Sequence, residues 1–271
     1  MITLYDIPST TPQHPWSPNT WKTRFTLNYK NLPHKTEWIE YPDITALYKA
    51  HNIAPTRFFP DGSGYHSLPV IKDEDELTGE ATYIAESLEI ARYLDKKYPG
   101  TPRVVLEEDG TEGAFWETQK AFPDELRAHL FPFYVVGWKG IAGKLSPRSA
   151  AHFKTARAND YSAVINPANP VTTIDDLHLS PEEVDERWER VKQSFDEVDG
   201  KYFGGKGGEE GSVTWFSGDR ISFADFVLGG FLLWIRDALG EESEKWQSLL
   251  TWSDGKWKTF LERLGEYQAV N

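Results

Sequence analysis

The chain has 271 residues, a length that favours two domains of ~150 residues each. Forty-two acidic against 29 basic residues give a net charge of −13, which argues against a general nucleic-acid or anionic-membrane surface because both need basic residues. Cysteine is absent, so disulfides, thiolate–zinc sites and a protein thiol nucleophile are excluded.

From other bulk features we expect a folded, cytoplasmic protein. Hydrophobic residues make up 39 % of the chain and aromatic residues 14 %, which is typical of a packed core. The N-terminus lacks a basic signal-peptide region, and no apolar run reaches the ~20 residues of a membrane span. The seven His are scattered, so we expect no metal site.

The first elements alternate between strand and helix patterns. Residues 2–7 alternate as a strand does. Ser17 followed by Pro18 is a typical helix start, with Ser as the N-cap and Pro at the first helical position. Residues 35–41 alternate again and predict a second strand.

The next segment contains a short helix and a long loop. Asp43 is placed to cap a helix over residues 44–50. The loop at 52–66 contains two Pro and two Gly, and loops of this length in compact domains usually carry function.

Two short strands and a helix complete the first part. We predict strands at 70–72 and 77–78, joined by an acidic turn, and a helix over 86–98 that stops at a Pro-Gly pair. The resulting order is β-α-β-α-β-β-α, which suggests a mixed sheet with helices packed on it.

After about residue 112 the strand signal largely disappears. Pro132 and Pro123 should break or kink the first helical pattern. We therefore predict an α+β domain at 1–98, a linker at 99–111 and an all-α domain at 112–271. The helical patterns cover residues 112–138, 147–165, 181–198, 223–239 and 255–267.

Ser17 has two interpretations. It is an N-cap in any case, and for an isolated Ser-Pro that is the more common role. Alternatively, its hydroxyl donates to a bound thiolate at a helix N-terminus, where the helix dipole favours negative charge. Asn19 is the alternative donor.

Leu68-Pro69 and Glu86-Ser87 also have two interpretations each. An X–Pro bond is trans in most proteins, but a cis bond would turn the Leu68 and Val70 backbone outward to pair with an extended peptide. Glu86 and Ser87 satisfy a helix start. The same groups would also bind a ligand that carries an amine and a carboxylate.

The order of these features resembles the cytosolic glutathione transferases over nearly the whole chain. A Ser-Pro helix start, a Leu-Pro-Val strand and a Glu-Ser helix start precede the helices. Residues 216–225 are similar to the family's helix-capping signature, with Ser222 and Asp225 as a capping box. Ser-Pro-Asn-Thr-Trp-Lys and the loop at 54–62 are similar to bacterial β-etherases and to the related fungal class called FuA or etherase-like.

This resemblance implies a thioredoxin-like first domain, with Pro69 in cis, and glutathione as co-substrate. It implies that Ser17 stabilises the glutathione thiolate; without Cys, the thiol-exchange chemistry of some classes is not expected. The residues predicted to bind glutathione are Asn19, Trp21, Arg57, His66, Leu68, Pro69, Val70, Glu86 and Ser87.

We expect the second substrate to bind between the domains, in contact with the many aromatic side chains there. We predict attack on hydrophobic aromatic electrophiles or aryl ethers, such as wood- or lignin-derived phenolics. The alternatives are a non-catalytic binder of phenolics and glutathione conjugates, and a glutathione-dependent peroxidase. Family resemblance also implies a homodimer, to be checked by light scattering. The candidate acceptor-site residues are Ile7, Pro15, Trp16, Trp116, Phe131, Tyr134 and Trp138.

Overall fold

The computed structural model describes residues 1–11, 13–59, 61–105, 114–204 and 214–271. Its first part contains a four-stranded sheet and a separate two-stranded hairpin. The strands are β1 (Ile2–Asp6), β2 (His34–Trp38), β3 (Arg57–Phe58), β4 (Gly64–Tyr65), β5 (Val70–Glu74) and β6 (Ala81–Ala85).

The sheet is mixed, in the order β2-β1-β5-β6. β1 pairs in parallel with β2 and antiparallel with β5, so that Ile2 lies opposite both His34 and Asp73. β6 pairs antiparallel with β5. All five residues of β1 are buried, as expected for an inner strand covered on both faces.

Helices pack on the sheet and form the second part. None of those described is long and apolar enough to cross a membrane. They are α1 (Pro18–Tyr29), α2 (Ile44–Ala50), α3 (Ser87–Lys97), α4 (Ala114–His129), α5 (Tyr134–Ala142), α6 (Pro147–Asp160), α7 (Pro181–Tyr202), α8 (Phe223–Leu239), α9 (Glu244–Leu249) and α10 (Trp252–Leu264).

The predicted fold class is confirmed: a thioredoxin-like sheet domain precedes a helical domain. The domain boundaries at 98 and 112 stay a prediction, and residues 106–111 of the proposed linker lie outside the described residues. The hairpin β3–β4, within the long loop at 52–66, and helix α9 were not predicted.

The predicted strand at 77–78 is wrong. The Asp75 carboxylate accepts the backbone N–H groups of Leu77 and Thr78 at 2.9 and 3.0 Å, which closes a turn. Gly79 follows with φ of 73°, and Leu77 is 98 % exposed. Residues 77 and 78 therefore belong to a turn, and the second strand of the pair begins later, as β6 at Ala81.

The predictions for Asp43 and for the two prolines have mixed outcomes. Asp43 does not cap α2; its carboxylate instead forms an ion pair with Arg148 of α6, with N–O distances of 2.5 and 2.6 Å. Pro132 does interrupt the helix, in a single 3₁₀ turn between α4 and α5, whereas Pro123 lies inside the continuous α4.

Helix α1 connects the sheet to α8. Phe25 of α1 is fully buried, and its ring stacks on Phe226 of α8 with centroids 5.6 Å apart. Burying an aromatic side chain of this size contributes about 1.5–3 kcal/mol, so this contact holds the two domains together. The position of the α1 N-terminus therefore depends on α8.

Helix α8 begins with the predicted capping box. The backbone N–H and hydroxyl of Ser222 both donate to the Asp225 carboxylate at 2.8 Å, and Phe216 N–H donates to its other oxygen at 2.8 Å. Burial raises the pKa of Asp225 to about 7. This carboxyl group organises the buried start of the central helix of the second domain.

Candidate functional site

A cleft of about 830 Å³ lies between the two domains. One wall comes from the sheet domain, at the N-termini of α1 and α3 and the turn before β5. The other wall comes from α4, α5, α6 and α8. Ligand sites occur preferentially in clefts between domains, so this is the candidate site.

Ser17 is a buried residue of the sheet-domain wall. It is the N-cap of α1, and its Oγ accepts the backbone N–H of Asn19 at 3.3 Å. The described residues offer the Ser17 hydroxyl proton no hydrogen-bond acceptor. The capping role and a donor role toward a ligand are thus compatible, because one uses the lone pair of Oγ and the other its proton.

Glu86 and Ser87 form the second polar group of this wall. Glu86 caps α3, accepting Leu88 N–H at 3.1 Å, and the Ser87 hydroxyl donates to the Glu86 carboxylate at 3.4 Å. Glu86 has φ of 77°, a conformation that a residue with a side chain rarely adopts. Strain of this kind is concentrated at ligand sites, which makes Glu86 a candidate binding residue.

Leu68 and Pro69 lie in the turn before β5. The Leu68–Pro69 peptide bond is cis. Both residues border the cleft, whereas the side chain of Val70 is fully buried. Val70 lies opposite Tyr5 and Ala85 in the sheet and is not a lining residue, so its contact with a ligand stays a prediction.

Not every residue predicted to bind glutathione lines the cleft. Arg57 and Asn19 do. Trp21 is fully buried against Phe25, with ring centroids 5.2 Å apart. Trp21 therefore belongs to the core with Phe25. The His66 ring centroid lies 4.6 Å from that of Tyr48, and His66 is not a lining residue although Tyr65 and Ser67 beside it are.

The predicted acceptor residues divide in the same way. Those that line the cleft are Trp16, Phe131, Tyr134 and Trp138. Ile7, Pro15 and Trp116 are buried and are not lining residues. Trp116 contacts the Arg92 guanidinium instead, at 4.8 Å from its ring centroid.

Sequence reasoning missed several residues of the helical wall. Phe231 and Trp234 fall within the helical pattern predicted over 223–239 and were not considered as site residues, and neither was any residue of α6. The chemical signal was present in α6, where Phe153 and Arg157 are one helical turn apart. Additional lining residues are Tyr41, Tyr65, Asp124, Arg127, Phe153, Arg157, Asp160, Phe231 and Trp234.

The helical wall is largely aromatic. The Tyr134 ring lies 5.4 Å from Trp138 and 5.7 Å from Trp234, and Trp16 meets Phe153 edge to face at 5.7 Å. Such surfaces bind flat apolar groups through ring contacts. Burial raises the pKa of Tyr134 to about 12, so its phenol is neutral at physiological pH.

Arg157 is a cation within this aromatic wall. Its Nη2 lies 3.0 Å from Asp160 Oδ2, and its guanidinium lies 5.5 Å from the Phe153 ring centroid. Its Nε is buried and has no hydrogen-bond partner among the described residues. Burial lowers the pKa of Arg157, but Asp160 and two nearby tyrosines raise it overall, so the group stays charged.

The described residues contain no cluster of three or more side chains able to hold a metal ion. The site therefore consists of two helix N-termini, a few charged groups and an aromatic wall. That donor set suits an organic ligand with both charged and apolar parts.

Comparison with known proteins identifies the family. Residues 16–97 match the glutathione S-transferase N-terminal domain, and residues 118–267 match the glutathione S-transferase C-terminal domain. A curated relative, the glutathione S-transferase-like protein ustS of Aspergillus flavus, is 25 % identical over 260 residues, which cover 94 % of this chain and 86 % of that protein.

Solved structures of fungal enzymes are more similar. A glutathione S-transferase of Ceriporiopsis subvermispora in complex with glutathione is 35 % identical, with a TM-score of 0.80, over 100 % of this chain and 98 % of that chain. GSTFuA3 of Phanerochaete chrysosporium is 32 % identical, with a TM-score of 0.82 over the same shares of the two chains. The expected likeness to the fungal FuA class is thus confirmed. The chain belongs to the glutathione S-transferase family, whose members use glutathione as co-substrate.

Proposed function

We propose that this protein is a glutathione transferase of the Ser type, acting on hydrophobic aromatic acceptors. The observation that carries the proposal is the position of Ser17, whose hydroxyl caps α1 within the same cleft as Glu86 and Ser87. Family membership supports the choice of glutathione, and the aromatic wall supports the choice of acceptor.

The residues of the sheet-domain wall fit the charges of glutathione. The exposed Glu86 carboxylate suits the γ-glutamyl amine, and Ser87 at the N-terminus of α3 suits the γ-glutamyl carboxylate. Leu68 and Val70 are proposed to pair with the cysteinyl backbone. Of the two candidates for the glycyl carboxylate, Arg57 is the better supported because it lines the cleft and His66 does not.

Ser17 is proposed to hold the glutathione sulfur as a thiolate. A thiol has a pKa of ~8.5, and a hydrogen bond to a charged group contributes about 1.5–3 kcal/mol, equivalent to ~1–2 pKa units. The N-terminus of α1 acts in the same direction. Asn19, which also lines the cleft, is the second candidate donor.

Glutathione supplies the nucleophile. Its sulfur forms a C–S bond with an electrophilic carbon of the acceptor, and the bond from that carbon to the leaving group breaks. When the acceptor is an aryl ether, the leaving group is a phenoxide, which then takes up a proton. The contribution of the helical wall is to orient the acceptor. Trp138, Tyr134 and Phe131 present ring surfaces, and Arg157 presents a positive charge.

A second candidate function is non-catalytic binding of phenolics or glutathione conjugates. The wide cleft and its aromatic wall support this function, because both suit the binding of flat apolar molecules whether or not they react. Turnover separates the two functions. The panel is a chloronitrobenzene electrophile, a fluorescent β-aryl ether and an organic peroxide, each with glutathione.

The test of Ser17 needs a control for its capping role. Ser180 is a second Ser-Pro N-cap, at the start of α7, and it does not line the cleft. Losing either cap costs about 1 kcal/mol of stability. We expect Ser17→Ala to lower kcat/KM by about 10–100-fold, the loss of one charge-assisted hydrogen bond, and Ser180→Ala to leave it unchanged. Equal kcat/KM values for the two variants would show that Ser17 does not donate a hydrogen bond to the thiolate.

Tight binding of glutathione and phenolics without turnover of any panel substrate would instead favour the binder. Turnover of the peroxide alone would point to a peroxidase. The homodimer remains a prediction from the family resemblance.

A further inference from the structure

Three basic side chains in or next to α1 are buried, and two of them have carboxylate partners. Arg24 lies 2.8 Å from Asp6, and Lys30 lies 2.6 Å from Asp95. Lys22 is 3 % exposed, yet no carboxylate of the described residues lies within ion-pair distance of it. A buried charge without a counter-charge is costly, and its presence usually has a functional cause.

The ammonium of Lys22 has one hydrogen-bond partner among the described residues. It donates to Oδ1 of Asn19 at 2.9 Å. An ammonium can only donate, so the carbonyl end of the Asn19 side chain must face Lys22. The NH₂ end of this amide is therefore left for the cleft, which Asn19 lines.

The electrostatic surroundings of Lys22 are those of the cleft. Its Nζ lies 5.7 Å from the ring centroid of Phe231 in α8, a lining residue. Burial lowers the pKa of Lys22 to about 8. Glu86 at the start of α3 and Asp124 in α4 raise that pKa, and Arg127 in α4 lowers it. The charge on Lys22 is thus sensitive to a charge that enters the cleft.

We propose that Lys22 is a positioning residue, which aims the Asn19 amide as a second donor to the glutathione sulfur and supplies the positive charge that favours the thiolate. This inference rests on the proposed function, because it requires glutathione with its sulfur near Ser17. It explains why Lys22, unlike Arg24 and Lys30, has no carboxylate partner: the counter-charge arrives with the ligand.

The first experiment uses the protein without glutathione. A Lys with a pKa of about 8 when folded and 10.5 when unfolded binds fewer protons in the folded state, so its unfavourable contribution disappears as pH rises from about 8 to 10.5. Relative to Lys22→Met, the wild type should therefore gain stability over this pH range in denaturant unfolding. If the difference in stability between the wild type and Lys22→Met does not change with pH, the conclusion that Lys22 carries a buried, unpaired charge is wrong.

The second experiment measures the pKa of the glutathione thiol in the binary complex by ultraviolet absorbance of the thiolate. We expect Lys22→Met and Asn19→Ala each to raise it by about one unit, a tenfold loss of thiolate at low pH. Because both act through the same amide, the double variant should show less than the sum. Asn28→Ala, on the same helix but away from the cleft, should leave the thiol pKa unchanged.

The outcomes separate this inference from the proposed function. If Ser17→Ala raises the thiol pKa while Lys22→Met and Asn19→Ala do not, the role of Lys22 is overturned and that of Ser17 stands. If all three leave the thiol pKa at the wild-type value, or the wild type binds no glutathione, both proposals fall. Lys22→Arg keeps the charge and should leave the thiol pKa close to the wild-type value. If Lys22→Met does not fold, Lys22→Gln replaces it, and a wild-type thiol pKa in Lys22→Gln would overturn the role of Lys22.

Discussion

The carbonyl oxygen of Pro18 in α1 lies so close to Gly230 in α8 that a β-carbon at position 230 would be 2.6 Å from it. No side chain fits at this distance. Pro18 directly follows Ser17, so the approach of the two helices determines where the Ser17 hydroxyl lies in the cleft. A glycine of the second domain thereby positions the candidate catalytic group of the first.

Replacing this glycine should affect both stability and activity. Gly230→Ala forces the start of α1 away from α8, at a cost of about 1–3 kcal/mol for overpacking. We expect a lower denaturant midpoint and a fall in kcat/KM with glutathione. The control is Gly200→Ala near the end of α7, where a β-carbon meets nothing within 4 Å and alanine should stabilise by up to ~1 kcal/mol. Wild-type kinetics in folded Gly230→Ala would contradict the positioning role.

Arg157 should select acceptors that carry an acidic oxygen. Its buried Nε has no partner among the described residues, and its charge lies within the aromatic wall. In Arg157→Met, an aromatic electrophile with a carboxylate should lose about tenfold in kcat/KM, the equivalent of one hydrogen bond to a charged group, while its neutral analogue changes little.

The matched control for Arg157 is Arg148→Met. Arg148 is on the same helix, pairs with Asp43 and lies outside the cleft, so neither acceptor should respond to its loss. An equal effect of Arg157→Met on both acceptors would show that Arg157 only supports the wall.

Asp225 should make the stability of the protein depend on pH. Its carboxyl pKa is about 7 in the folded state and near 3.8 when unfolded, so the folded state holds the extra proton between these values. Stability should therefore fall as pH rises from about 4 to 7. Asp225→Asn is expected to be less stable throughout, because an amide cannot accept all three hydrogen bonds, but to lack this part of the slope in urea unfolding. An unchanged slope would assign the pH dependence to other groups.

Local sequence patterns were sufficient for three polar helix starts, two in the first domain and one in the second. The Ser17-Pro18 helix start, the Glu86-Ser87 helix start and the capping box of Ser222 and Asp225 are all present, because each involves hydrogen bonds between residues a few positions apart. The wrong strand at Leu77 and Thr78 also has a local cause, because the Asp75 side chain hydrogen-bonds to the backbone two and three residues further along the chain.

The aromatic residues were harder to assign. Trp21 and Trp138 are both buried tryptophans in helices, yet Trp21 packs in the core and Trp138 borders the cleft. Helical periodicity shows that a face is apolar, but it does not show whether a neighbouring helix covers that face. The choice depends on how α1, α5 and α8 meet.

The sequence by itself therefore determined the change from alternating strands and helices to helices alone, the two polar helix starts and the absence of any cysteine nucleophile. These follow from composition and short-range spacing. Only the tertiary structure decided which aromatic residues form the cleft and that Lys22 is buried against Asn19 without a carboxylate. Those properties depend on how segments far apart in the chain pack together, as Pro18 does against Gly230. A local sequence pattern therefore does not predict them.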